Sequence, residues 1–200
     1  SKDLPNIKQD GKKIIGYREA MNLEKQPESM VVVGSGAIGS EFACFYQTLG
    51  TNVTLVEFLP RIVPNEDEEV SKQLERSFRK MKMRVLTDSA VESADTSGGK
   101  CRVRIKTPKG YEEVEADIVF SAVGVETNID GIGLEEAGVK TEKGKVVVDD
   151  FYRTNLPGIF AIGDIVHGPA LAHVASAEGI ACVEKIAGLD PEPVDYSNIP

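Results

Sequence analysis

The sequence predicts an α/β fold built on a doubly wound parallel sheet. Three observations carry that expectation. Short β-branched runs alternate with helix-length amphipathic segments between Ser29 and Leu86. The first run ends in a cluster of glycines that opens directly into a helical pattern. A later block changes to period-two alternation, which marks antiparallel strands wet on one face.

Taken in order, "SMVVVG" (29–34) is an apolar, β-branched run of the kind buried on both faces of a sheet. "AIGSEFACFYQTLG" reads as a helix closed by Gly50. "TNVTLVE" (51–57) is a second strand. "NEDEEVSKQLERSFRKM" (65–81) is a second helix, with Val70, Leu74 and Phe78 on one stripe and acids gathered in its first turn. "MRVL" makes a third strand and completes βαβαβ, half of a doubly wound sheet. From Val91 to Gly124 come two turns, Gly98-Gly99 and Pro108-Lys109-Gly110, with Val103, Ile105 and Thr107 alternating with charged residues. That is an antiparallel β-meander. "ADIVFSAVG" (116–124) then returns as a buried strand of the parallel sheet. "GLEEAGV", the strand "KVVVDD" and the opening stretch belong to something else. Gly158 to Ile162 has strand character, ends in Gly163-Asp164, and leads through a short loop to the helical spacing of "GPALAHVASAEG".

Composition narrows the function classes. The 28% charged residues are ordinary for a globular protein. A net charge of −9 and a pI near 4.9 repel phosphates, so nucleic acid is not an expected partner. No apolar run approaches the roughly 20 residues that cross a bilayer, and no signal-peptide pattern opens the chain, so no membrane partner is expected. Cys44, Cys101 and Cys182 form no CxxC or CxxxxC pair, which reads as reduced structural thiols in a cytoplasmic protein. No metal ligand set is expected. The polar start "SKDLPNIKQDGKK" and the Pro-rich end "DPEPVDYSNIP" give the expectation of a segment cut from a longer protein.

"VVVGSGAIGSE" fits G-x-G-x-x-G at Gly34, Gly36 and Gly39. Gly34 permits the tight turn, Gly36 lets a pyrophosphate approach the backbone, and Gly39 lets the helix pack closely on the strand. The helix N-terminus offers free N–H groups and about half a positive charge to the phosphates. The motif alone is weak. Here it follows a strand, opens a helix, and is followed by an acid at the end of the second strand, Glu57, which is the context the mechanism needs. The competing reading is three glycines serving helix–strand packing only. A carboxylate at Glu57 accepts from a ribose 2′-OH and repels a 2′-phosphate, favouring NAD over NADP. Arg61 reads as a surface charge. Glu41 has two readings: an acid complementing the helix dipole in the first turn, or a carboxylate at the nicotinamide end.

Four stretches, "VVVGSGAIGSEFA", "TLVEFLPRIVPNEDEEVSKQLERSFRK", "AVGVETNIDGIGLEEAGV" and "TNLPGIFAIGDIVHGPALAHVASAEG", resemble the flavin-dependent pyridine nucleotide-disulfide oxidoreductases, and "GPALAHVASAEG" the lipoamide dehydrogenase branch. In that family the FAD domain is split by an inserted NAD domain. The resemblance implies a Rossmann-like NAD-binding domain with an antiparallel β-meander, plus an incomplete portion of a split FAD-binding domain. Residues 1–13 would be a linker ending the first part of the FAD domain, 14–128 the NAD domain, and 129–200 the C-terminal part of the FAD domain. It explains why Gly163-Asp164 has no fingerprint of its own: the flavin fingerprint, the redox CxxxxC and the catalytic base lie elsewhere in such proteins.

Carried residue by residue, the resemblance gives Gly34, Ser35, Gly36, Ala37, Ile38, Gly39, Ser40 and Glu41 as pyrophosphate and nicotinamide contacts of NAD. Glu57 would take the ribose, Val91 would meet adenine, and Gly124 would pass close to the cofactor or serve as a plain strand-end turn. Asp164 would accept from the ribityl chain of FAD, and the backbone of Ala170, Leu171, Ala172 and His173 would meet the isoalloxazine edge. His173 lacks an acid partner in the sequence and is not expected to be catalytic, and His167 reads as a loop residue. The implied activity is oxidation of dihydrolipoyl groups on a subunit of a 2-oxo acid dehydrogenase or glycine cleavage complex, by a homodimer. Gly124-Val125-Glu126-Thr127-Asn128 departs from the common G-R-x-P-N-T, which leaves the subfamily open. A transhydrogenase, a mercuric or persulfide reductase, and a non-catalytic NAD-binding module are the other readings.

Overall fold

The computed structural model describes residues 2–199, which divide into two compact units between Val125 and Glu126. The first contains β1 (Ile14–Ile15), α1 (Tyr17–Ala20), β2 (Ser29–Val33), α2 (Ala37–Thr48), β3 (Asn52–Val56), α3 (Glu68–Lys80), β4 (Arg84–Leu86), β5 (Ala90–Asp95), β6 (Cys101–Thr107), β7 (Gly110–Ala116) and β8 (Ile118–Ser121). Five strands form one parallel sheet in the order β1–β8–β2–β3–β4. β5–β6–β7 form the antiparallel meander, with a register shift between Val91 and Ser93.

The pleat of β2 decides what covers each face. Met30 and Val32 point into a cluster with Ala43 and Tyr46 of α2 and Phe78 of α3. Val31 and Val33 point into a cluster with Cys101, Val103 and Ile105 of β6. Helices therefore cover one face and the meander the other, so β2 is apolar on both sides. Val31 and Val32 are fully buried, each contributing roughly 1.5–3 kcal/mol. The opening stretch packs into this same unit. Ile7 is buried in the meander-side cluster. The Asp10 carboxylate accepts the N–H groups of Lys12, Lys13 and Ile14 at 2.8, 2.8 and 2.9 Å. Burial pushes that carboxyl up, but the backbone donors outweigh it and hold it below its ordinary value.

α2 ends where the sequence places its end. Gly50 (φ +101°) donates to Gln47 and Thr51 to Tyr46, a Schellman closure. α3 differs by one position from the expected stripe. Val70 is 52% exposed and Ser71 is buried in its place, ahead of Leu74 and Phe78. The Ser71 hydroxyl points to the Val63 carbonyl at 3.3 Å, so the first turn of α3 packs a hydroxyl where a methyl stripe was expected. The acids of that turn are as expected, with Asp67 capping the N–H of Glu69 at 2.7 Å.

The second unit holds α4 (Leu134–Ala137), β9 (Thr141–Glu142), β10 (Lys145–Val146), a 3₁₀ turn at Gly163–Ile165, α5 (Ala172–Ile186) and a 3₁₀ turn at Tyr196–Asn198. β9 and β10 form a two-residue hairpin whose central Lys143 and Gly144 both have positive φ. Two expectations are corrected here. "KVVVDD" is a strand over Lys145 and Val146 only, and Gly158–Ile162 forms no strand. Phe160 makes an isolated bridge to Arg153, and no described neighbour extends it into a ladder. Apolar, β-branched residues need that ladder before they become a strand. α5 buries Val174, Glu178, Ala181 and Cys182 and exposes Ile180, Val183 and Ile186. Among the described residues no helix is long and apolar enough to cross a membrane.

Candidate functional site

From β2 the chain steps outward through β3 and β4, then crosses the meander and returns on the other side of β2 as β8. The winding reverses at β2. Beyond the carboxyl ends of β2 and β8 lies the crevice where open α/β sheets bind ligands.

The glycine loop sits at that edge. Gly34 (φ +94°) turns off β2, and a Cβ there would lie 2.6 Å from the Ala122 carbonyl oxygen just past β8. A Cβ on Gly39 would overlap the Gly34 carbonyl oxygen. These two glycines bring α2, β2 and β8 closer than any side chain permits. Gly36 differs. It is the N-cap residue of α2, and a Cβ there would meet nothing within 4 Å. Its backbone faces open space, as a phosphate-facing residue requires. No side chain caps α2, so its first N–H groups have no side-chain acceptor. Gly36 and Ala37 are exposed, Ile38 half-buried, and Ser35, Gly39 and Ser40 buried.

Glu57 lies one residue past β3 and is 7% exposed. Its carboxylate is engaged within the protein. Oε2 accepts from the Ser35 N–H at 2.8 Å and the Ser35 hydroxyl at 2.6 Å. Oε1 accepts from the Leu59 N–H at 2.8 Å. The Ser35 carbonyl in turn accepts from the Ser40 hydroxyl at 2.9 Å and the Val63 N–H at 3.0 Å. Val63 makes that contact with φ at +39°, a costly conformation for a β-branched residue.

Glu41 is exposed and is the fifth residue of α2, beyond the first turn, where no acid occurs. The dipole reading therefore does not hold at this position, since the effect fades within a turn. Val91 is half-buried against the meander-side cluster, two residues after Ser89, whose N–H donates to the Glu57 carbonyl at 2.9 Å. Gly124 (φ +114°) makes a left-handed turn past β8 and accepts from the Lys2 N–H at 2.9 Å. Arg61 donates to the Pro64 carbonyl at 2.9 Å.

In the second unit Asp164 is exposed, in the 3₁₀ turn rather than at a strand end. Ala170 to His173 are exposed and lead into α5, whose N-cap Leu171 supplies no side-chain cap. Neither His167 nor His173 makes a side-chain hydrogen bond or ion pair among the described residues. One feature had no signal in the sequence. Glu178, buried on α5, accepts the Gly163 N–H at 2.6 Å and the Tyr196 hydroxyl at 2.7 Å. It fixes the turn that carries Asp164.

Comparison with known proteins gives one family match, one curated relative and two solved structures. The signature described as pyridine nucleotide-disulphide oxidoreductase matches residues 2–179. A dihydrolipoyl dehydrogenase from Rhizobium etli is 44% identical over 98% of this chain and 41% of its own length. Among solved structures, LpdA from Mycobacterium tuberculosis superposes with a TM-score of 0.87 at 31% identity, over 98% of this chain and 42% of that one. An NAD-dependent persulfide reductase from A. fulgidus follows with a TM-score of 0.83 at 27% identity, over 98% and 38%. The chain thus spans about two fifths of the length of the proteins it matches.

Proposed function

The chain belongs to the pyridine nucleotide-disulphide oxidoreductase family, and on that premise we propose that it is a central part of a dihydrolipoamide dehydrogenase, carrying the NAD site and part of the FAD site. Such an enzyme takes two electrons and two protons from a dihydrolipoyl group, passing the electrons through a disulfide and FAD to NAD as hydride and releasing one proton. The observation that carries the reading is the edge of β2 and β8. Two glycines there close the backbone gap, Gly36 faces open space, and an acid stands at the end of the next strand.

In this proposal the N–H groups from Gly36 to Gly39 hold the diphosphate, and the helix dipole favours its charge. Gly34, Ser35 and Ser40 shape that loop. Glu57 takes the adenosine ribose and excludes a 2′-phosphate, Val91 bounds the adenine, and Gly124 shapes the floor past β8. Glu41 lies on the same helix, towards the nicotinamide. In the second unit Asp164 accepts from the ribityl chain, while Ala170 to His173 present backbone N–H groups to the flavin edge. That half-site is incomplete in this chain. The substrates are dihydrolipoyl-bearing subunits of a 2-oxo acid dehydrogenase or glycine cleavage complex, and the full-length protein is a homodimer. Three unpaired thiols fit a cytoplasmic setting.

The 200-residue chain should bind NADH and purify without yellow colour. A fluorescence titration checks the first, and flavin-loaded preparations would count against an incomplete flavin site. Likeness to the persulfide reductase supports the second reading, and the full-length protein separates the two. Rapid NAD reduction with dihydrolipoamide supports the first, and NADH oxidation by a persulfide without that activity the second.

A further inference from the structure

Glu57 has more to do than receive a ribose. A carboxylate offers about four acceptor positions. Three are filled within the protein, by the Ser35 N–H, the Ser35 hydroxyl and the Leu59 N–H. One position remains, on Oε1. Ser35 itself is fully buried, so its side chain touches no ligand. Yet it is the middle residue of Gly34-Ser35-Gly36, and the bond to Glu57 fixes its N–H in the Gly34–Ser35 peptide, one peptide before the open backbone of Gly36. Its carbonyl is held from the far side by Ser40 and by Val63. A strained residue held in that role indicates that the surrounding structure strongly fixes this loop.

We propose that Glu57 is shared between two subsites: it latches the phosphate loop through Ser35, and with its one remaining lone pair it accepts a single ribose hydroxyl. Phosphate binding and ribose binding are then coupled through one carboxylate, and Ser35 is a positioning residue for both. The inference rests on the nucleotide reading of this loop.

Two probes separate the functions: ADP, and 2′,3′-dideoxy-ADP, which keeps the diphosphate and lacks both ribose hydroxyls. Affinities are measured on the 200-residue chain by competition against NADH. The wild-type chain prefers ADP by about 5- to 10-fold, the factor expected of one hydrogen bond. Ser35→Ala, which changes no charge, weakens dideoxy-ADP by about 3- to 10-fold although neither the lost hydroxyl nor the missing ribose groups can touch this probe. Glu57→Gln brings the ratio of the two probes close to one. Should Ser35→Ala fail to fold, Ser35→Cys keeps the volume, replaces the hydroxyl with a weak donor and is read the same way. Unchanged dideoxy-ADP affinity in the folded Ser35 variant overturns the latch. A retained ADP preference in Glu57→Gln overturns the shared role. A wild-type chain that binds neither NADH nor ADP removes the nucleotide reading itself, and the coupling with it.

Discussion

Single residues record where chemistry constrained this fold and where it did not. Ser121, at the end of β8, is 1% exposed, and its hydroxyl has no hydrogen-bond partner among the described residues. A buried hydroxyl without a partner costs about 1–3 kcal/mol. Ser121→Ala should therefore raise stability by about 1 kcal/mol in urea denaturation, and a loss would mean that the hydroxyl is satisfied after all. Gly34, Gly39 and Glu57 were legible in the sequence because the motif spacing and the strand-end position each have a mechanical cause. The ties that fill the Glu57 carboxylate were not. Two of them come from Ser35, 22 residues away, and no local pattern encodes the strained Val63 that holds the Ser35 carbonyl. Glu178 was illegible for the same reason, since its partners Gly163 and Tyr196 lie 15 and 18 residues away.

Elements were read best where their own ends and periods defined them. The Gly50 closure of α2 is local chemistry and was visible. α3 closes by the same geometry on Lys82, whose φ is +64°, with Met83 donating to Phe78. A left-handed lysine is strained by roughly 1–2 kcal/mol, of which the greater chain entropy of unfolded glycine returns part. Lys82→Gly should thus stabilise the chain by about 0.5–1 kcal/mol, as thermal unfolding can show. The stripe on α3 was misplaced by one residue because Val70 and Ser71 both satisfy a helical period, and only tertiary packing chooses between them. Gly158–Ile162 failed as a strand for a comparable reason. Composition can propose an extended run, but hydrogen bonds to a neighbour decide it.

Across the whole molecule, both units respond to alkali in one direction. Burial raises Tyr46 in the first unit and Tyr152 in the second. Burial, together with the neighbouring Tyr152 and Glu178, raises Tyr196. Each phenol keeps its proton in the folded chain above pH about 10, where the unfolded chain releases it. Stability from these groups is complete below that pH and falls as pH rises further. Melting temperature should accordingly drop between pH about 10 and about 11, the first unit above the ordinary phenol value. A flat profile across that interval would be inconsistent with buried, hydrogen-bonded phenols.

The parallel sheet and the meander were readable at this scale from alternation and glycine placement, whereas the reversal at β2 depends on which edge β8 joins. The covering of the second sheet face by the meander instead of helices was not, because period-two alternation states that a face is buried without stating against what. The three hydrogen bonds on Glu57 also bear on protein engineering. Exchanging that acid for a small or basic residue is the obvious route to a coenzyme bearing a 2′-phosphate. Here the exchange would also release Ser35. A redesign would have to supply a new anchor for the loop at the same time as a new reader of the sugar.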